Sequence, residues 1–105
     1  MTDKRIVLST AGSEDEARKI AHHLVEQRLA ACVNIIPRIE SVYRWEGKVD
    51  SNREYLLLIK TSSTMFPEVR DAILELHSYE LPECVEIAVE DGSSEYLQWV
   101  EESLK

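Results

Sequence analysis

The sequence predicts an α+β domain in the order βαββαβ, followed by one further helix. Three observations carry the prediction. Apolar residues recur at helical spacing in two well-separated segments. Apolar runs of strand type flank each of those segments. The two longest strand-like runs face each other across Glu46-Gly47-Lys48, which reads as a direct turn.

Arg5 to Thr10 reads as the first strand, ending at Ala11-Gly12. Ser13 followed by Glu16 has the spacing of a capping box, in which hydroxyl and carboxylate each take one orphan amide. The helix beyond it puts Ala17, Ile20, Ala21, Leu24 and Val25 on one face. It ends near Arg28, where a cation suits the negative end of the dipole.

Leu29 to Thr61 is the long hairpin. Pro37 cannot donate to a ladder, so a bulge, bend or edge position is expected there. Tyr43 and Trp45, two residues apart, share a face. Tyr55, Leu57 and Ile59 line one side of the returning strand, and Leu56 and Leu58 the other. A strand apolar on both faces needs cover on both. In so short a chain, part of that cover is expected from further copies of itself.

Ser62-Ser63-Thr64 is expected to cap a second helix, with Pro67 in its first turn and Phe66, Val69, Ala72, Ile73 and Leu76 as its buried stripe. Leu81-Pro82 stops the chain from continuing as helix. Cys84 to Val89 alternates as a strand, Asp91 to Ser94 is a turn and cap, and a last helix begins near Glu95 with Leu97, Val100 and Leu104 on one side. Two right-handed βαβ crossovers on one antiparallel sheet make this a ferredoxin-like sandwich.

The 105 residues are read as a single domain, 1–105, without linker or repeat. The net charge of −8, from 12 basic and 20 acidic residues, argues against nucleic acid or an anionic membrane as partner. The apolar run Ile6 to Leu8 is too short for a signal-peptide core or a membrane span. Cys32 and Cys84 form no Cys-x-x-Cys motif and are read as buried structural thiols. A cytoplasmic protein is expected.

Candidates for chemistry are few. His22 and His23 diverge by about 100° on a helix and cannot grip one ion together. His77 closes the second helix, where the dipole favours its charged form. Glu80 and Glu83 lack the spacing of a Ca²⁺ loop. Ser9, Ser13 and Ser41 lack a nucleophile elbow. The helix N-terminus after Gly12 carries three acids, which suit the dipole and repel phosphate. Lys60 ends the apolar run Tyr55 to Ile59, so it either snorkels to the rim or stands in a cleft with a carboxylate such as Glu83. Tyr43, Trp45, Tyr79, Tyr96 and Trp99 suit subunit contacts, with a polar edge left over.

Several motifs together resemble the CutA divalent-cation-tolerance family. They are Arg28 to Asn34, Ser41 to Lys48, Leu58 to Thr61, His77 to Glu83, and Tyr96 to Trp99. The match runs from the first strand to the last helix. The resemblance implies a tight homotrimer similar to PII-type signalling proteins, with adjacent subunits extending one another's sheets, and no established reaction. Copper binding in that family is linked to a cysteine and a histidine pair, and the corresponding positions here hold Ser9, Leu76 and His77. Of these only His77 is a good copper ligand, which implies at most weak Cu²⁺ binding. The usual His-Pro-Tyr is here His77-Ser78-Tyr79.

Three functions follow as expectations. The first is a trimeric regulatory module of metal tolerance with ligand clefts between subunits, formed by Lys60, Tyr79 and Glu83 with Trp45 and Trp99 as walls, and with His77 as the metal residue. The second is an enzyme of unassigned activity using Lys60, His77 and Glu83. The third is a trimeric scaffold.

Overall fold

The computed structural model describes residues 2–105. Its elements are β1 (Lys4–Ala11), α1 (Glu14–Glu26), β2 (Cys32–Trp45), β3 (Lys48–Ser62), α2 (Phe66–Leu76), β4 (Val85–Ala88) and α3 (Ser94–Ser103). The sheet is antiparallel with strand order β2-β3-β1-β4, the ferredoxin-like arrangement expected from two βαβ crossovers. Val7, Leu57 and Ile59 point from the sheet into the helical layer, where Ala17, Ile20, Leu24, Val69 and Ile73 complete the core. On the opposite face Ile6, Leu8, Leu56 and Leu58 are only half-buried within the protomer.

Ser13 Oγ accepts from the Glu16 amide at 3.2 Å, so half of the capping box forms. The other half does not, because the Glu16 carboxylate turns toward His77. Arg28 lies beyond α1 with φ 59°, and its guanidinium donates to the Glu102 and Ser103 carbonyls at the end of α3. The cation thus serves the negative end of a different helix from the one the sequence suggests. α2 starts later than its serine cluster: Ser62 Oγ accepts from the Met65 amide, and Met65 stands at the cap without a side-chain bond. β4 is shorter than Cys84 to Val89, and both cysteines are half-buried rather than buried.

The hairpin extends far beyond the sheet, giving the protomer extents of 44 × 25 × 23 Å. Glu46 and Gly47 take φ of 51° and 80°, the left-handed pair that a two-residue turn between twisted strands requires. The irregularity expected at Pro37 is a bulge. The register jumps from Ile36 opposite Leu56 to Ile39 opposite Glu54, and Arg38 has φ 61°. Two residues of β2 here face one of β3, so the alternation of β2 changes phase. Ser41, Tyr43 and Trp45 therefore share a face with Glu54 and Asn52. Without the extra residue, Glu40, Val42 and Arg44 would occupy that face.

Candidate functional site

The phase change builds a cleft of about 690 Å³. One wall is the hairpin arm, with Tyr43, Trp45 and Asn52. The other is the segment from Tyr79 to Glu83, which links α2 to β4. Thr10 and Glu54 also line the cleft.

Tyr79 is placed by the residues around it. His77 ends α2 with its amide on the Ile73 carbonyl, and its ring turns inward. Its Nε2–H donates to the Thr10 carbonyl at 2.6 Å, which leaves Nδ1 to accept the Tyr79 amide at 3.1 Å. The two rings lie 4.6 Å apart at 45°. On the other side, a Cβ at Gly12 would stand 2.8 Å from the Tyr79 hydroxyl, so glycine is what allows the ring to lie there. The hydroxyl donates to Glu54 Oε2 at 2.7 Å.

Glu54 is only 7% exposed, although it follows a stretch of β3 that is open to solvent. Burial pushes the Tyr79 phenol above its ordinary range, and the bond to Glu54 pushes it further, so the tyrosine remains a neutral donor. Burial also raises the Glu83 carboxyl, and the nearby negative charge of Glu54 adds to the shift. Ser9 Oγ, donating to the Glu83 carbonyl at 2.8 Å, ties this segment to β1.

Three of the expected cleft residues, Tyr79, Glu83 and Trp45, meet in this cavity. Lys60 and Trp99 stand elsewhere in the protomer. The Lys60 ammonium donates to Asn34 Oδ1 and borders a smaller cleft of about 380 Å³ beside α3. Trp99 lies on α3 against Tyr96, with ring centroids 5.6 Å apart. No hydrogen bond or ion pair joins Lys60, His77 and Glu83 among the described residues, so the acid-base set of an enzyme is not assembled within the protomer.

His77 has a fully buried side chain with both ring nitrogens engaged, and a metal ion would have to displace one of those bonds. Glu16 Oε1 lies 3.3 Å from Nδ1 with no hydrogen-bond partner among the described residues, and pairs with the ring only if the ring takes a second proton. No three His, Cys, Asp or Glu side chains group for a metal among the described residues.

Sequence reasoning missed Glu54 and Gly12. The available signal for Glu54 was one carboxylate directly before the apolar run of β3. Nothing local identifies Gly12, because its role depends on a ring far along the chain, that of Tyr79.

Residues 5–103 match the family model described as CutA1 divalent ion tolerance protein. The divalent-cation tolerance protein CutA of Thermus thermophilus is 47% identical over 100 residues, covering 95% of this chain and 97% of that protein. Protein CutA of Homo sapiens is 46% identical over 87% of this chain, which spans about half (51%) of the human protein. Among solved structures, the Thermus thermophilus protein superposes with a TM-score of 0.95 at 46% identity, covering 97% of this chain and 99% of that one. The Archaeoglobus fulgidus protein, described as a periplasmic divalent cation tolerance protein, gives 0.94 at 42% identity, with the same two coverages.

Proposed function

The chain belongs to the CutA1 divalent ion tolerance family, and from that premise we propose a homotrimeric, PII-like binding protein of divalent metal tolerance. Its ligand occupies the cleft beneath the hairpin arm, at the boundary between subunits. One observation carries the reading. The Tyr79–Glu54 hydrogen bond fixes a neutral donor and a buried carboxylate at the wall of a cavity that also holds Trp45 and Glu83. A pocket with few, well-fixed polar groups and aromatic walls has the character of a ligand site.

Support for the trimer lies in apolar surface that the protomer leaves uncovered. Val42 and Val49, on the arm, are each 66% exposed, and Val85 and Ile87 on the edge strand β4 are about half exposed. Apolar groups in such number along an arm and a sheet edge suit contact with further copies. Relatives are named for tolerance to divalent cations, and we assign no reaction to this chain. Copper tolerance would then follow from weak Cu²⁺ binding that involves His77, after one of its ring bonds opens. No helix among the described residues is long and apolar enough to cross a membrane. The two unpaired thiols suit a reducing compartment, and we place the protein in the cytoplasm.

Native mass spectrometry of the purified protein, titrated with Cu²⁺ and Zn²⁺, tests the reading. A trimer at micromolar concentration is expected, with sub-stoichiometric Cu²⁺ that His77→Ala abolishes. A monomer refutes the assembly. One tightly held Cu²⁺ per chain that survives His77→Ala refutes the metal assignment.

A further inference from the structure

The cleft has a chemical bias that names a ligand class, on the reading that it is a ligand site. We propose that it binds an organic ammonium ion. Three aromatic side chains, Tyr43, Trp45 and Tyr79, line one cavity, and a cation over such faces is attracted by the ring quadrupole. Three carboxylates share the lining, from Glu54, Glu80 and Glu83, against a single cation, Arg44. Arg44 alternates to the other face of β2 from Tyr43 and Trp45, and its guanidinium reaches the Gly47 carbonyl at the exposed end of the arm, at 3.4 Å.

Glu54 is the strongest element of this site. It is more than nine-tenths buried and lines the cavity, and among the described residues only Oε2 carries a hydrogen bond. The charge of Glu54 also opposes ionisation of Glu83. A bound cation relieves that repulsion, whereas an anion adds to it. No three acids group as ligands for an inorganic ion among the described residues. What the cleft offers is a negative field with aromatic walls, and an ammonium carried on a hydrocarbon frame uses both.

Calorimetric titration of the native assembly tests this with tetramethylammonium and 1,4-diaminobutane. Their controls are the neutral analogues 2,2-dimethylpropanol and 1,4-butanediol, with acetate as an anion and Mg²⁺ as an inorganic cation. Both ammonium probes are expected to bind at least tenfold more tightly than their neutral analogues. Trp45→Leu should weaken them about tenfold, and Glu54→Gln or Glu83→Gln about fivefold, with unfolding midpoints confirming that each variant is folded.

If the neutral analogues bind as tightly, or acetate binds better, the cleft is a ligand site of another kind and the ammonium assignment fails alone. Mg²⁺ bound as tightly as the ammonium probes, and unaffected by Trp45→Leu, overturns the assignment in the same way. If no probe of any charge binds, the ammonium assignment fails and the ligand-site reading falls with it.

Discussion

Tyr79→Phe isolates the bond that holds the cleft wall. The ring and its contact with His77, at 4.6 Å, survive the change, and only the hydroxyl is lost. Glu54, at 7% exposure, then loses the donor 2.7 Å from Oε2. Hydrogen bonds to charged groups contribute about 1.5–3 kcal/mol. Water entering from the open cleft replaces part of that, so the expected cost is about 1–2 kcal/mol. That is a change of roughly 5- to 30-fold in the folding equilibrium. The assay is thermal and urea unfolding at fixed protein concentration, because an assembling protein gains stability with concentration. A double-mutant cycle with Glu54→Met completes it, since methionine keeps the length of the side chain and removes the acceptor. Tyr79→Phe should cost about 1–2 kcal/mol in the parent and close to zero in the Glu54→Met background. An equal cost in both backgrounds would refute the reasoning, because the energy would then come from packing of the phenol and not from the bond.

Two further predictions concern the same cleft. Glu83 titrates above its ordinary value of 4.5 in the folded chain, so its neutral form is the one the fold prefers. Stability from that group is complete below the unfolded value and is lost as pH rises through the folded one; Glu83→Gln should therefore raise the unfolding midpoint at pH 7 and change it little at pH 3.5, and the opposite order would contradict the sign. Deletion of Arg38 removes the extra residue of the bulge and should return β2 to simple alternation. Trp45 would then leave the cleft face, which quenching of tryptophan fluorescence by acrylamide, with Trp99 replaced by Leu, would register as a change in accessibility; unchanged quenching would mean that the bulge does not set the phase.

Much of the fold was legible because it depends on local chemistry. Periodicity picked out the residues of α1 and α2 that meet the sheet, apart from Val25, which is 41% exposed at the end of α1, and Gly47 marked the hairpin turn. Errors fell where a side chain had a better distant partner than the local one. Glu16 has the right spacing for a capping box but lies beside a buried imidazole from the end of α2. Arg28 ends α1 in sequence but serves the carbonyls of α3 in space. The serine cluster before α2 spends Ser62 on the turn instead of the helix cap. In each case the residue type was read correctly and the partner was not, because the partner lies outside the local pattern.

The candidate site shows the same division at higher stakes. Tyr79, Glu83 and Trp45 stood out by type, and they do converge. Lys60 stood out for the same reason, as a charge ending an apolar strand, but it meets Asn34. Lys60 shares the Glu54 face of β3 but stands six residues further along it, so position along the strand keeps it out of the cleft, whereas strand phase decides which β2 residues enter. Tyr43 and Trp45 point into the cleft only because Pro37 and Arg38 together oppose one residue of β3. Proline supplies the break in the ladder, since it has no amide to donate. Arg38 supplies the left-handed residue that completes it. The bulge is thus as much a part of the site as the aromatic residues it turns inward, although neither of its residues need touch a ligand. A search for functional residues by chemical type would miss both.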